Sequence, residues 1–201
     1  MKIKDKAKPA IPPVEPGVYM GVCVGVIDLG EQYSDIFKKY SNDMQIVWEL
    51  VGETVEVDGE QKPRQLSRTF SASASKKSNL RKFLGSWNSK QYSDEEFGEL
   101  ELFDQLGKAC QLQVVLSEDG QYSNIDNVMA LPKGMPAPTT DTALVRWDMD
   151  LWDDEAFKTL PEWVQEKIKK STQYQKIHTP QDDVGFKDEK KEPQTEGACP
   201  I

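Results

Sequence analysis

The stretch Gly17-Val18-Tyr19-Met20-Gly21-Val22-Cys23-Val24-Gly25-Val26-Ile27 sets the reading of everything after it. Val18, Met20, Val22, Val24 and Val26 alternate with Tyr19, Gly21, Cys23, Gly25 and Ile27, a period of two rich in β-branched residues that predicts a strand. Gly21 and Gly25 fall on one face, which predicts strong bending. Asp28-Leu29-Gly30 ends the strand in this reading, and a loop carrying Tyr33, Phe37, Lys38, Lys39 and Tyr40 follows. A second strand starts at Met44, with Ile46, Trp48 and Leu50 in phase, and continues to Val57. Asp58-Gly59 is the signature of a two-residue type I′ hairpin. The third strand runs from Arg64 to Ala72. There Phe70 shares its phase with Leu66 but also with Arg64 and Arg68, so either the strand is interrupted or Phe70 faces outward.

Ser78 then caps a helix whose Leu80, Phe83, Leu84 and Trp87 make one apolar stripe. Arg81 and Lys82 fall off that stripe and are expected to point outward. A further helical piece spans Asp94 to Leu106, and two more strands cover Ala109 to Leu116 and Tyr122 to Met129. The order β-β-β-α-β-β predicts a mainly β fold, a five-stranded Greek-key barrel of the OB type with a helix between strands three and four. A C-terminal helix and a disordered tail are expected after it. The domain organisation follows: a flexible basic arm over 1–13, the barrel over 14–135, a linker with an acidic segment and a helix over 136–176, and a disordered acidic tail over 177–201. Pro161 sits in the first turn of the late helix, with Trp163, Val164 and Ile168, and Lys167 beside them, along one side.

Composition narrows the function. The chain has 201 residues, of which 37% are hydrophobic and 29% charged, with a net charge of −9. No apolar run approaches the ~18 residues of a membrane span, and no apolar stretch follows the basic N-terminus, so neither a membrane partner nor a secretory signal is expected. Cys23, Cys110 and Cys199 contain no CxxC pair, and His178 is the one histidine. Reduced cytosolic thiols are the expectation, with no metal site. GxxxxGK[ST], GxGxxG and HExxH are all absent, so no catalytic residue and no cofactor is expected. The acidic run Asp148-Met149-Asp150-Leu151-Trp152-Asp153-Asp154-Glu155 offers ligands for a divalent ion, as in a nuclease, but lacks a spacing that fixes geometry. A solvated acidic segment is the preferred reading.

The distribution of charge points further. From Gln61 to Ser93 there is no acid, while the stretch holds eight cations. The last 61 residues carry 14 acids against 9 bases. A basic island of this kind repels itself unless anions neutralise it. An OB barrel binds single strands on the outer face of strands two and three and on the flanking loops, pairing cations with phosphates and stacking bases on aromatic rings. The residues of those types in those segments are Tyr33, Lys38, Lys39 and Tyr40 in the first loop; Lys62, Arg64 and Arg68 in the strand-three region; Lys76, Lys77, Arg81 and Lys82 after it; and Tyr122 beyond strand four. They form the expected DNA-binding set. Trp48 and Trp87 are assigned to the core.

The runs PGVYMGVCVGVIDLGEQYS, IVWEL, DGEQKPRQLSRTF, KKSNLRKFLGSW, LGKACQLQVV and NIDNVMALPKGMP, in this order and spacing, resemble a family of phage and prophage replication-associated single-stranded-DNA-binding proteins of OB-fold type. The resemblance covers residues 14–138 and extends more weakly into LPEWVQEKIKKSTQYQ. It implies single-stranded-DNA binding in phage replication or recombination, in the cytoplasm of a bacterial host. It carries over no DNA contact residue by residue. It also implies recruitment of replication or recombination proteins by an acidic tail, although Lys187, Lys190 and Lys191 dilute the acids here. Self-association stays open. Two other functions compete: an OB-fold adaptor that recruits or inhibits a replisome or nuclease partner without strong DNA binding, and a metal-dependent nuclease.

Overall fold

The computed structural model describes residues 11–178; the basic arm up to Ala10 and the acidic tail from Thr179 lie outside the described residues. Six strands form one mainly antiparallel sheet: β1 Gly17–Ser34, β2 Lys39–Val57, β3 Glu60–Ser71, β4 Ala109–Leu116, β5 Ser123–Met129 and β6 Val145–Trp147. Their order is β3-β2-β1-β4-β5, with β6 parallel to β1. The helices are α1 Asn79–Trp87, α2 Asp94–Gly98, α3 Asp154–Thr159, α4 Glu162–Lys169 and α5 Thr172–His178. Ile177 and His178, expected in the tail, belong to α5.

β1 does not end at Gly30. Register shifts between Cys23 and Gly25 and between Asp28 and Gly30 absorb the extra residues, and pairing with β2 continues to Ser34 opposite Lys39. The first shift also separates the two glycines expected on one face. A Cβ on Gly21 would meet Leu112 Cδ1 at 2.6 Å in the core, whereas one on Gly25 would meet Val47 at 3.2 Å on the opposite side. Asp58 and Gly59 both have positive φ, 53° and 85°, as the type I′ hairpin requires.

Two apolar clusters hold the molecule together. On the inner face Cys23, Val26, Met44, Ile46, Trp48, Leu50, Leu112 and Val114 pack against Leu80, Phe83, Leu84 and Trp87 of α1. Trp48 is 0% exposed and its ring lies 5.7 Å from that of Trp87. Ser78 caps α1 by accepting a hydrogen bond from the Arg81 N–H. The expected helix over Asp94–Leu106 is broken in two: α2, closed by a capping box between Ser93 and Glu96, and a short 3-10 turn at Leu102–Gln105.

The second cluster lies on the other face of β1. Ile27 and Leu29 pack with Trp147, Met149, Phe157, Leu160, Val164 and Ile168. The segment expected as a linker with one helix is therefore a strand and three helices docked on the sheet. The Gln32 amide donates to the Lys167 carbonyl at 3.0 Å, Thr172 Oγ1 donates to the Glu31 carboxylate at 2.7 Å, and the Glu31 N–H donates to Gln173 Oε1 at 2.7 Å. β1 is buried on both faces between Gly21 and Ile27. Among the described residues no helix is long and apolar enough to cross a membrane.

Candidate nucleic-acid interface

The paired ends of β1 and β2 form a ribbon whose turn is Asp35–Lys38, with Lys38 at φ 50°. Tyr33 and Tyr40 stand opposite each other in register, ring centroids 5.0 Å apart, both half-exposed. Ile36 and Phe37 at the turn are 85% and 71% exposed. Lys39 Nζ lies 5.8 Å from the Phe37 ring. Lys38 stands 3.7 Å from Asp35, but both side chains are in water, where such pairs contribute little.

The Ala72 N–H donates to the Asn42 carbonyl at 2.7 Å, which places the loop after β3 at the same end of the sheet as this ribbon. There Arg68, Ser71, Ser73, Ser75, Lys77 and Ser78 line a cavity of about 350 Å³ at the N-terminus of α1. Lys76, Arg81, Lys82, Lys90 and Tyr92 line a second one of about 700 Å³. The acid-free island is less bare than its sequence suggests, because acids just outside it fold back. Lys62 pairs with Glu60 at 3.5 Å, Lys76 and Arg81 with Asp94 at 3.0 and 2.8 Å, and Lys90 with Glu96 at 2.9 Å. Hydrogen bonds from Arg81 and Lys76 hold the Asp94 carboxyl below its usual range. Among the described residues Lys39, Lys77 and Lys82 have no acid within ion-pair distance.

Three arginines expected to face a ligand do something else. Arg81 turns in rather than out: besides Asp94 it donates to the Tyr92 carbonyl, and its guanidinium lies 5.2 Å from the Phe97 ring, tying α1 to α2. Arg68 shares the inner face with Phe70, which is buried, and no register shift intervenes between Gln65 and Ser71. Its Nη1 donates to the Ile125 carbonyl and, at 2.7 Å, to that of Asp126, so it spans the margin between β3 and β5. Its guanidinium lies over Phe70 and Phe83, at 5.4 and 5.0 Å. Arg64, on the same face, donates to the Pro12 carbonyl at 2.7 Å, and burial lowers its pKa.

The expected set therefore splits. Tyr33, Lys38, Lys39, Tyr40, Lys76, Lys77 and Lys82 gather at one end of the sheet. Lys62, Arg64 and Tyr122 lie at the other, where Ser123 Oγ accepts from the Val14 N–H. Lys62 and Ser71 are nine positions apart on β3, about 30 Å at strand spacing. Between them the outer faces of β2 and β3 present Gln45, Val47, Glu49, Gln65, Ser67 and Thr69, with no cation and no aromatic ring.

Trp163, expected on the packed side of α4 with Val164 and Ile168, stood outside the expected DNA-binding set. Val164 and Ile168, four apart, are buried and complete the docked side of α4, which leaves the indole on the rim, 48% exposed. Ile36 drew no reading from the sequence, and Phe37, though placed in the aromatic and basic first loop, stood outside the expected DNA-binding set.

The acidic run has local explanations. Asp148 accepts from the Asp150 N–H at 3.0 Å, Asp153 caps α3 through the Glu155 and Ala156 N–H groups, and Asp154 accepts from Trp152 Nε1 at 2.9 Å. Among the described residues no three His, Cys, Asp or Glu side chains are placed to hold a metal ion. Cys23 and Cys110 are buried free thiols; burial pushes Cys23 up to about 12 and raises Cys110 as well. No protein-family model, curated protein or solved structure matches the chain.

Proposed function

We propose that this chain binds single-stranded DNA without strong sequence preference, in phage replication or recombination in the cytoplasm of a bacterial host. The strand order β3-β2-β1-β4-β5, the helix between β3 and β4 and the Arg68 bridge between the outer strands support reading the sheet as a five-stranded OB barrel. The observation that carries the functional reading is the joint exposure, at one end of that sheet, of the Tyr33–Tyr40 pair with Lys38, Lys39, Lys77 and Lys82. Rings for bases beside cations for phosphates are what a single strand requires. Lys76 stands in reserve, its partner Asp94 being shared with Arg81. Arg64, Arg68 and Arg81 support the fold in this reading and do not meet DNA.

The test is the salt dependence of oligo-dT binding in the Lys39→Ala/Lys77→Ala/Lys82→Ala variant. Each phosphate contact on a single strand contributes about 0.7 to the log–log slope, so the variant should lose about 2. A parental slope would remove these lysines from the interface.

A second reading has an observation of its own. Ile36 and Phe37 stand in water at the ribbon turn, as apolar anchors for a protein partner do. In that reading the chain is an adaptor for a replisome or nuclease component, and oligo-dT fails to bind even at low salt.

A further inference from the structure

We infer that Trp163 and Lys167 form a second nucleobase subsite, on the rim of a cleft between α4 and the outer face of the sheet. The inference rests on the single-stranded-DNA reading and extends it to residues outside the expected set. The cleft has a volume of about 290 Å³; its floor is Val24, Ile27, Gln45, Val47 and Ser67, and Val145 and Trp163 stand at its sides. The walls are mostly apolar, as a planar base requires of the surfaces that meet its faces. Trp163 is 48% exposed, and Lys167, one turn later on α4, holds its ammonium 5.8 Å from the indole ring. Among the described residues Lys167 has no acid within ion-pair distance. A ring to stack on and an adjacent cation for the phosphate are thus side by side.

The floor carries an unmet polar group. Gln45 is 2% exposed; its Nε2 donates to Ser67 Oγ at 2.9 Å and its Oε1 has no partner among the described residues. A buried acceptor in this state is unfavourable, and the edge of every nucleobase brings N–H donors. Nothing on the floor neutralises a phosphate, so the base enters and the backbone stays at the rim with Lys167. The cleft opens on the outer face of β2 and β3, which otherwise offers a strand no ring and no cation. The docked C-terminal helices supply both.

Two measurements on the full chain test the subsite. Trp163→Ala should weaken oligo-dT binding by about 5- to 100-fold, the loss of one stacked base, with the salt slope unchanged. Trp163→Phe should recover most of that loss, whereas Lys167→Ala should flatten the slope by about 0.7. Photocrosslinking to an oligonucleotide containing 5-iodouracil should label the tryptic peptide Thr159–Lys167, and Trp163→Ala should abolish that label. Parental affinity in Trp163→Ala, with crosslinks elsewhere, would overturn the subsite, leave the DNA reading standing, and return the cleft to apolar side chains of a protein partner. A parental chain that binds no oligo-dT would overturn the DNA reading and the subsite together.

Discussion

Replacing Arg68 by Met keeps only the stem of the side chain, and puts a thioether where the guanidinium lay over Phe70 and Phe83, while removing the two hydrogen bonds that span β3 and β5. Hydrogen bonds to a charged donor contribute about 1.5–3 kcal/mol each when both partners are buried. One of these two lies in an exposed setting, where water replaces it at little cost. The expected loss is therefore about 2–3 kcal/mol, close to the lower limit for the pair. For a chain of this size 1 kcal/mol shifts the melting temperature by about 2–4 °C, which gives a fall of roughly 4–12 °C. Urea denaturation followed by tryptophan fluorescence measures it directly. Oligo-dT binding, measured well below the melting transition, should keep its parental salt slope. A variant of parental stability whose slope is flatter by about 0.7 would make Arg68 a phosphate contact and not a bridge.

Tyr33→Ala and Tyr40→Ala should each weaken oligo-dT binding by about 1–3 kcal/mol without changing the salt slope, and Tyr→Phe at either position should be nearly silent; equal losses for Ala and Phe would exclude stacking. Burial, with Asp148 and Asp150 nearby, raises the Asp28 pKa above 3.8. The stability this carboxyl contributes is complete below the unfolded pKa and is lost as pH rises through the folded one. Asp28→Asn should therefore raise the melting temperature at pH 7 and leave it unchanged at pH 3, and a lower melting temperature at pH 7 would contradict this. The raised thiols of Cys23 and Cys110 act in the same sense at high pH: their stabilising effect is complete below about 8.5, where an unfolded thiol ionises, and shrinks as pH climbs toward 12. In a Cys199→Ser background both should react with a thiol reagent only at the rate of unfolding; fast labelling of the native chain would contradict their burial.

Most of the strands and the helix α1 were legible because one face of each is apolar at the right period. Trp48, Trp87 and the Leu80–Phe83–Leu84 stripe are all in the core that this pattern implies. β1 was read short for a specific reason. Its outer face is covered by Trp147, Phe157 and Ile168, residues more than a hundred positions away, so Asp28-Leu29-Gly30 reads locally as a terminus when it is a bulge. The same distance hid the docking of α4 and α5. At the candidate site, residue type was legible but direction was not. The run without acids from Gln61 to Ser93 gives no sign that Glu60, Asp94 and Glu96 border it and pair back. Nor does a period of two reveal that Arg64 and Arg68 go inward with Phe70, since a guanidinium on an inner face needs carbonyls to receive it. Those carbonyls come from Pro12, Ile125 and Asp126.

Titration of the full chain with a fluorescent oligo-dT across a series of salt concentrations, with duplex of equal length as competitor, decides whether the chain is a single-strand binder. A single-strand binder shows saturable binding at low salt, a log–log slope of about −2 to −4 from three to five phosphate contacts, and a duplex that competes poorly. No binding at low salt, or a duplex that competes as well as the single strand, would contradict the single-strand reading.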